Sequence, residues 1–254
     1  MSPLFLAHGS PMLAIEENEY SAFLRETGAS LHPGAIVIFT AHWETEDVTV
    51  TFTDGVYETI YDFYGFPDEL YRVRYPARGS KEVASLVKSM LETNGIPVRF
   101  DGTRGLDHGS WTLLKHLFPN ADIPVVQVSV NPYRSVEAHY EIGKALRGLS
   151  ENNILVIGSG VTVHNLRIIK WGQEEPEPWA VQFDDWLIDA MSRGELSALF
   201  QYDTLAPFAG HAVPRAEHFV PLYVALGSAQ PNAKPEVIFR GYQAGTLSYL
   251  CLRF

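Results

Sequence analysis

The chain has one cysteine, Cys251, among 254 residues, so no intramolecular disulfide can form. Leu247-Ser248-Tyr249-Leu250-Cys251-Leu252 reads as a strand, which predicts a buried, unreactive thiol. Basic residues are also scarce. Lys and Arg number 19 against 30 Asp and Glu, the formal charge is −11, and no run of Lys or Arg exceeds two. Tracking a phosphate backbone requires a basic face, so nucleic acid is not an expected partner. No apolar stretch approaches the ~20 residues that a membrane span needs. Met1-Ser2-Pro3-Leu4-Phe5-Leu6 enters a strand with no basic leader before it. With the lone cysteine, these absences predict a cytoplasmic protein without membrane contact. A Gly-x-Ser-x-Gly elbow is missing, which argues against a serine nucleophile. Gly158-Ser159-Gly160 falls short of a dinucleotide fingerprint or a Walker loop and reads as a tight turn at a strand end.

What remains is the composition of a soluble globular protein, 46% hydrophobic and 19% charged. A chain of this length buries roughly 70–75% of its unfolded surface, enough for a core without staples. There is no repeat or linker, and the polar, proline-broken stretch Trp171–Pro178 reads as a loop. One domain spanning residues 1–254 is the simplest organisation.

Short apolar, β-branched runs recur at Leu4–Leu6, Ala35–Phe39, Val48–Phe52, Pro124–Val130, Ile154–Ile157, Val237–Phe239 and Thr246–Leu252. The runs at 35–39 and 153–157 are continuously apolar, the pattern of strands covered on both faces. Helical periodicity fills gaps at Lys81–Leu91, Ser135–Leu149, Trp179–Met191 and Phe219–Leu226. This alternation predicts a three-layer α/β/α fold around a mixed, mostly parallel central sheet. The acidic pairs Glu16-Glu17 and Asp184-Asp185 read as solvated helix residues.

Nine histidines are present, and their positions are informative. His8 directly follows the first strand, His42 the second, and His164 lies a few residues past Ile154–Ile157. Open α/β sheets bind ligands beyond the carboxyl ends of their strands, so three such histidines can converge. Neutral imidazole is a common ligand for zinc and iron. Pro214-Arg215-Ala216-Glu217-His218-Phe219 offers one further ligand, and the residues leave open whether Glu217 or His218 serves. Neighbours on a helix point about 100° apart, so one ion does not take both. His108, in Leu106-Asp107-His108-Gly109-Ser110-Trp111, is a weaker candidate. His32, His116, His139 and His211 read as ordinary helix-face or loop residues.

His8-Gly9-Ser10-Pro11, Ala41-His42-Trp43-Glu44, Leu106–Trp111, Gly158-Ser159-Gly160 with His164-Asn165-Leu166, and Glu217-His218-Phe219 form an ordered set. In this the chain resembles the class III extradiol ring-cleavage dioxygenases, in their DOPA-4,5-dioxygenase-like branch, from residue 4 to the last strand. The resemblance implies that His8, His42 and His218 bind the metal, with His164 as acid–base residue and His108 as a second active-site histidine. Other branches use a carboxylate, which would substitute Glu217 for His218. It further implies Fe(II) as the working metal, a catechol such as DOPA and O2 as substrates, and a ring-opened semialdehyde as product. Zn(II) can occupy the same ligands but has no redox chemistry. Arg134, Arg167 and Arg215 are candidate partners for a substrate carboxylate, and Tyr133 and Trp43 for its ring. Rival readings are a zinc hydrolase and a non-catalytic metal-binding protein of the same superfamily. A monomer or small homo-oligomer is expected.

Overall fold

Strand β2 (Ala35–Glu44) shows why the apolar runs become central strands. Successive side chains of a strand point to opposite faces. In the computed structural model, which describes residues 1–254, Val37 and Phe39 enter one core while Ile36 and Ile38 enter another. Strand β6 (Ile154–Gly160) divides Ile154 and Val156 from Leu155 and Ile157 in the same way. Strand β1 (Leu4–Ala7) separates Phe5 from Leu4 and Leu6.

The remaining strands of the main sheet are β3 (Val48–Thr51), β4 (Val98–Asp101), β5 (Val125–Val130), β7 (Glu236–Phe239) and β10 (Cys251–Arg253). The order is β4-β3-β5-β2-β6-β1-β10-β7. The ladders β5-β2-β6-β1 are parallel, whereas β3 meets β5, and β10 meets β1 and β7, antiparallel. Helices α2 (Lys81–Thr93), α4 (Val136–Ala145), α5 (Pro178–Arg193) and α9 (Val220–Ser228) close the larger core. Helices α1 (Glu19–Ala29) and α3 (His108–Leu117) cover the opposite face. The fold is therefore the expected three-layer α/β/α sandwich with a mixed sheet. Short helices α6 (Leu196–Phe200), α7 (Tyr202–Leu205) and α8 (Ala209–Ala212), and a hairpin of β8 (Tyr242–Gln243) and β9 (Leu247–Ser248), complete it. No helix is long and apolar enough to cross a membrane.

Several boundaries differ from expectation. The Thr246–Leu252 run divides into β9 and β10, which belong to different sheets. Helix α4 stops at Ala145 and passes into a 3-10 turn at Arg147–Asn152. Asp184 is not solvated: it is fully buried on α5 and accepts hydrogen bonds from Thr162, Tyr242 and Ser248. Three hydroxyl donors offset the cost of burying the carboxyl. Glu16 and Glu17 precede α1, whose start is fixed by a capping box between Asn18 and Ser21. Cys251 is buried as expected, and burial pushes its thiol up to about 12.

Candidate active site

The parallel strands deliver their last residues to one end of the sheet, as the crevice rule requires. His8 follows β1 directly. His42 does not follow β2 but lies within it, because the strand continues to Glu44 past a register shift after Phe39. Its backbone is pinned from beneath. Thr40 Oγ1 accepts from the His42 amide (3.2 Å) and donates to buried Asp107 (2.7 Å), and Arg104 bonds both Asp107 Oδ2 and the His42 carbonyl. Arg104 also lies over the Trp43 ring, so Trp43 packs below the site and does not line it.

Gly158-Ser159-Gly160 forms the end of β6, not a turn. A Cβ on Gly160 would sit 2.2 Å from the His218 carbonyl, and one on Gly158 equally close to that of Pro221. The glycines thus let the segment leading into α9 rest on the strand, and the Val161 amide donates to His218 O at 2.8 Å. Gly109 has a similar reason, since a Cβ there would fall 2.9 Å from the His42 ring.

These constraints bring His8, His42, His108, His164 and His218 together. One ligand atom from each of His8, His42 and His218 lies within 4.8 Å of the others. The His164 and His218 rings stack at 3.7 Å, and the His42 and His108 centroids are 3.9 Å apart. Two further groupings satisfy the same 4.8 Å limit: His42, Asp62 and His108, and His164, Glu217 and His218.

The contacts of the outer nitrogens, hydrogen bonds for His8 and His218 and a carboxylate approach for His42, indicate the tautomers. Ser159 Oγ donates to the Gly109 carbonyl, so its lone pair faces His8 Nδ1 at 3.0 Å and that nitrogen must be the donor. His42 Nδ1 lies 3.3 Å from the Asp62 carboxylate, and His218 Nδ1 lies 3.1 Å from Glu217 Oε1. Each Nδ1 therefore carries the proton, and each Nε2 is left with a bare lone pair. Those of His8 and His42 face each other at 3.0 Å. Two lone pairs at that distance repel unless a cation lies between them. Histidines whose outer nitrogen is held by a carboxylate or hydroxyl form the donor set a divalent metal takes. Burial, then the neighbouring histidines, lowers His8 and His218 well below the ordinary histidine range; burial and His108 bring His42 to about 3. All three are neutral ligands near pH 7.

Asp62 is the residue that sequence reasoning missed. It contacts His42 and lies 2.9 Å from His108 Nδ1, off the axis of a proper hydrogen bond, and its Oδ1 accepts from the His108 amide at 3.0 Å. Burial pushes its carboxyl up, but His108 and His42 outweigh that and hold it below the usual value. Only its aromatic setting, Tyr61-Asp62-Phe63, hints at a role.

The histidines line a cavity of about 750 Å³, with Phe63, Phe66, Trp171 and Tyr249 among its other walls. Tyr133 and all three candidate arginines lie outside it. Arg215 pairs with Glu44 and Glu217, Arg134 lies near Asp47, and Arg167 is exposed.

A buried polyhistidine cluster at the strand ends, opening on an aromatic-walled cavity, defines a candidate metal-dependent α/β enzyme. Residues 3–251 match the family described as the catalytic LigB subunit of aromatic ring-opening dioxygenase, and the chain belongs to that family. It is 41% identical over 98% of its length, and 95% of the relative's, to a 4,5-DOPA dioxygenase extradiol of Beta vulgaris. A protein of the same description from Escherichia coli strain K12 is 36% identical, with 100% and 94% of the two chains covered. The crystal structure of an uncharacterized Escherichia coli K12 protein superposes with a TM-score of 0.84 at 34% identity, covering 100% of this chain and 99% of that one. The chain is thus an enzyme of the extradiol aromatic ring-opening class.

Proposed function

We propose that residues 1–254 act as one catalytic domain that opens the ring of a DOPA-like catechol with O2, giving a ring-opened semialdehyde. The observation that carries this reading is the bare Nε2 lone pairs converging beside an aromatic-walled cavity. His8, His42 and His218 would hold the metal, with Glu217 orienting His218. Fe(II), when bound there, supplies the redox link between catechol and O2 that Zn(II) lacks.

The protein's own groups do the rest. His164 stacks on His218 without being needed as a ligand, and burial, then His108, lowers it to about 4. It is therefore neutral near pH 7 and can take a catechol hydroxyl proton, then return it as the ring opens. His108, anchored by Asp62, forms the second polar wall. The edge of Phe63 against His108, 5.7 Å between centroids, places an aromatic surface where a catechol ring can lie.

Protein stripped of metal and reloaded anaerobically with iron(II) tests the reading through oxygen uptake on a panel of catechols. Uptake matched by a new yellow, ring-opened chromophore is expected. A stoichiometric iron site without uptake on any catechol would reject it and favour a zinc hydrolase or a non-catalytic metal protein.

A further inference from the structure

The cavity has a charge pattern that the ring-opening reaction does not require. Beyond its histidines, the charged residues in its lining are Glu16 and Glu217, and no Lys or Arg contributes. Glu217 is occupied with His218 and Arg215. Glu16 is left on another wall, half-buried after the turn at Pro11–Ala14, and its one side-chain contact is a long 3.4 Å bond from Asn18. It lies close enough to Tyr249 for its charge to add to burial in raising that phenol. Nearby bases are held elsewhere: Arg25 by Glu17 and Lys170 by Glu177. Arg167, between the lining residues Leu166 and Ile169, points to solvent.

Resting on the ring-opening reading, we propose that Glu16 is the counter-ion for a protonated amine on the catechol's side chain, and that the cavity selects catechols by that amine and not by a carboxylate. A side-chain carboxylate would find no Lys or Arg in the lining to receive it, Glu217 is already paired with Arg215, and Glu16 would repel it. Its remaining neutral donors include the Gln243 amide, whose Oε1 already accepts from Tyr249 at 2.9 Å. An ammonium group would meet Glu16 in a cavity whose lining also includes Trp171 and Phe66, ring types that attract a cation. The net charge of −11 biases approach in the same direction.

The test compares four ligands on the iron(II) protein: dopamine, DOPA, 3,4-dihydroxyphenylpropionate and 4-methylcatechol. Binding is read anaerobically by calorimetry, and turnover by oxygen uptake. Dopamine is expected to bind best and the propionate worst, with DOPA between them. In Glu16→Gln the ratio of dopamine to 4-methylcatechol affinity should fall about five- to tenfold, as expected for a partly buried charged contact. Equal or tighter binding of the propionate, or an unchanged ratio in Glu16→Gln, overturns the proposal. Propionate binding that collapses in Arg167→Ala does so as well, by identifying the missing cation. Uptake on 4-methylcatechol keeps these outcomes separate from failure of the ring-opening reading, in which no catechol reacts.

Discussion

Two groups of buried histidines sit in this protein. His116 on α3 and His139 on α4 are as buried as His8 and His218. Yet His116 Nε2 meets the Leu13 carbonyl at 2.7 Å and its Nδ1 lies 3.4 Å from Arg25. His139 Nδ1 meets Ser135 O at 2.9 Å, and its Nε2 accepts from the Asn131 amide at 3.4 Å. Each of these rings has both nitrogens answered by the protein. In His8, His42 and His218 one ring nitrogen is held by a hydroxyl or carboxylate and the other is left for the shared centre. Burial is therefore uninformative about ligation, and the direction of the second nitrogen decides it.

The largest expected effect breaks one group and spares the other. His42→Ala should abolish stoichiometric iron binding and with it oxygen uptake, while His116→Ala should keep its iron; metal analysis after anaerobic loading checks both. Retained stoichiometric iron in His42→Ala would remove it from the ligand set. His164→Ala should keep its iron but lose about 10²–10⁴-fold in turnover, the usual worth of a positioned acid–base group. Loss of iron in that variant would make His164 a ligand instead.

Asp62 sharpens the contrast, because it holds the outer nitrogen of His42 while leaving the inner one free. Asp62→Asn should weaken metal binding about 10–100-fold, the range for partners that orient a ligand. Competition with a chelator measures this, and an unchanged affinity would reduce the 3.3 Å contact to packing. Asp62 also marks where sequence reading stops. The central strands were legible because an apolar run such as Ala35–Phe39 is rich in β-branched residues and too short for a helix, which favours a strand buried on both faces. His8, His42 and His164 were legible as candidates because a strand end fixes where a following side chain goes. His108 and the choice of His218 over Glu217 were legible only through the family resemblance, since both stand at helix entries. Asp62 stands in an irregular stretch with no periodicity to place it. Asp184 misled for the opposite reason: its helical setting suggested solvent, and its hydroxyl partners come from distant segments. Strand β4 was hidden because Arg99 and Phe100 are exposed, leaving no apolar run to read.

The smallest effect concerns His139, where function should not change at all. Burial, against the bond to Ser135, brings its pKa to about 4, below the ~6.5 of an unfolded histidine. The folded protein therefore resists protonation that the unfolded chain accepts. The stability this represents is present above pH 6.5 and is lost as pH falls toward 4. Between pH 7 and 5 the loss amounts to about 2 kcal/mol by linkage. His139→Gln removes the titrating group and imperfectly replaces its two bonds. It should cost about 1–2 kcal/mol at pH 7 while flattening the acid limb of the stability curve by up to one proton. Urea titrations at several pH values on the iron-loaded protein measure both quantities. If the acid limb keeps its slope, His139 does not share in the proton uptake, and the buried histidines at the strand ends account for it instead.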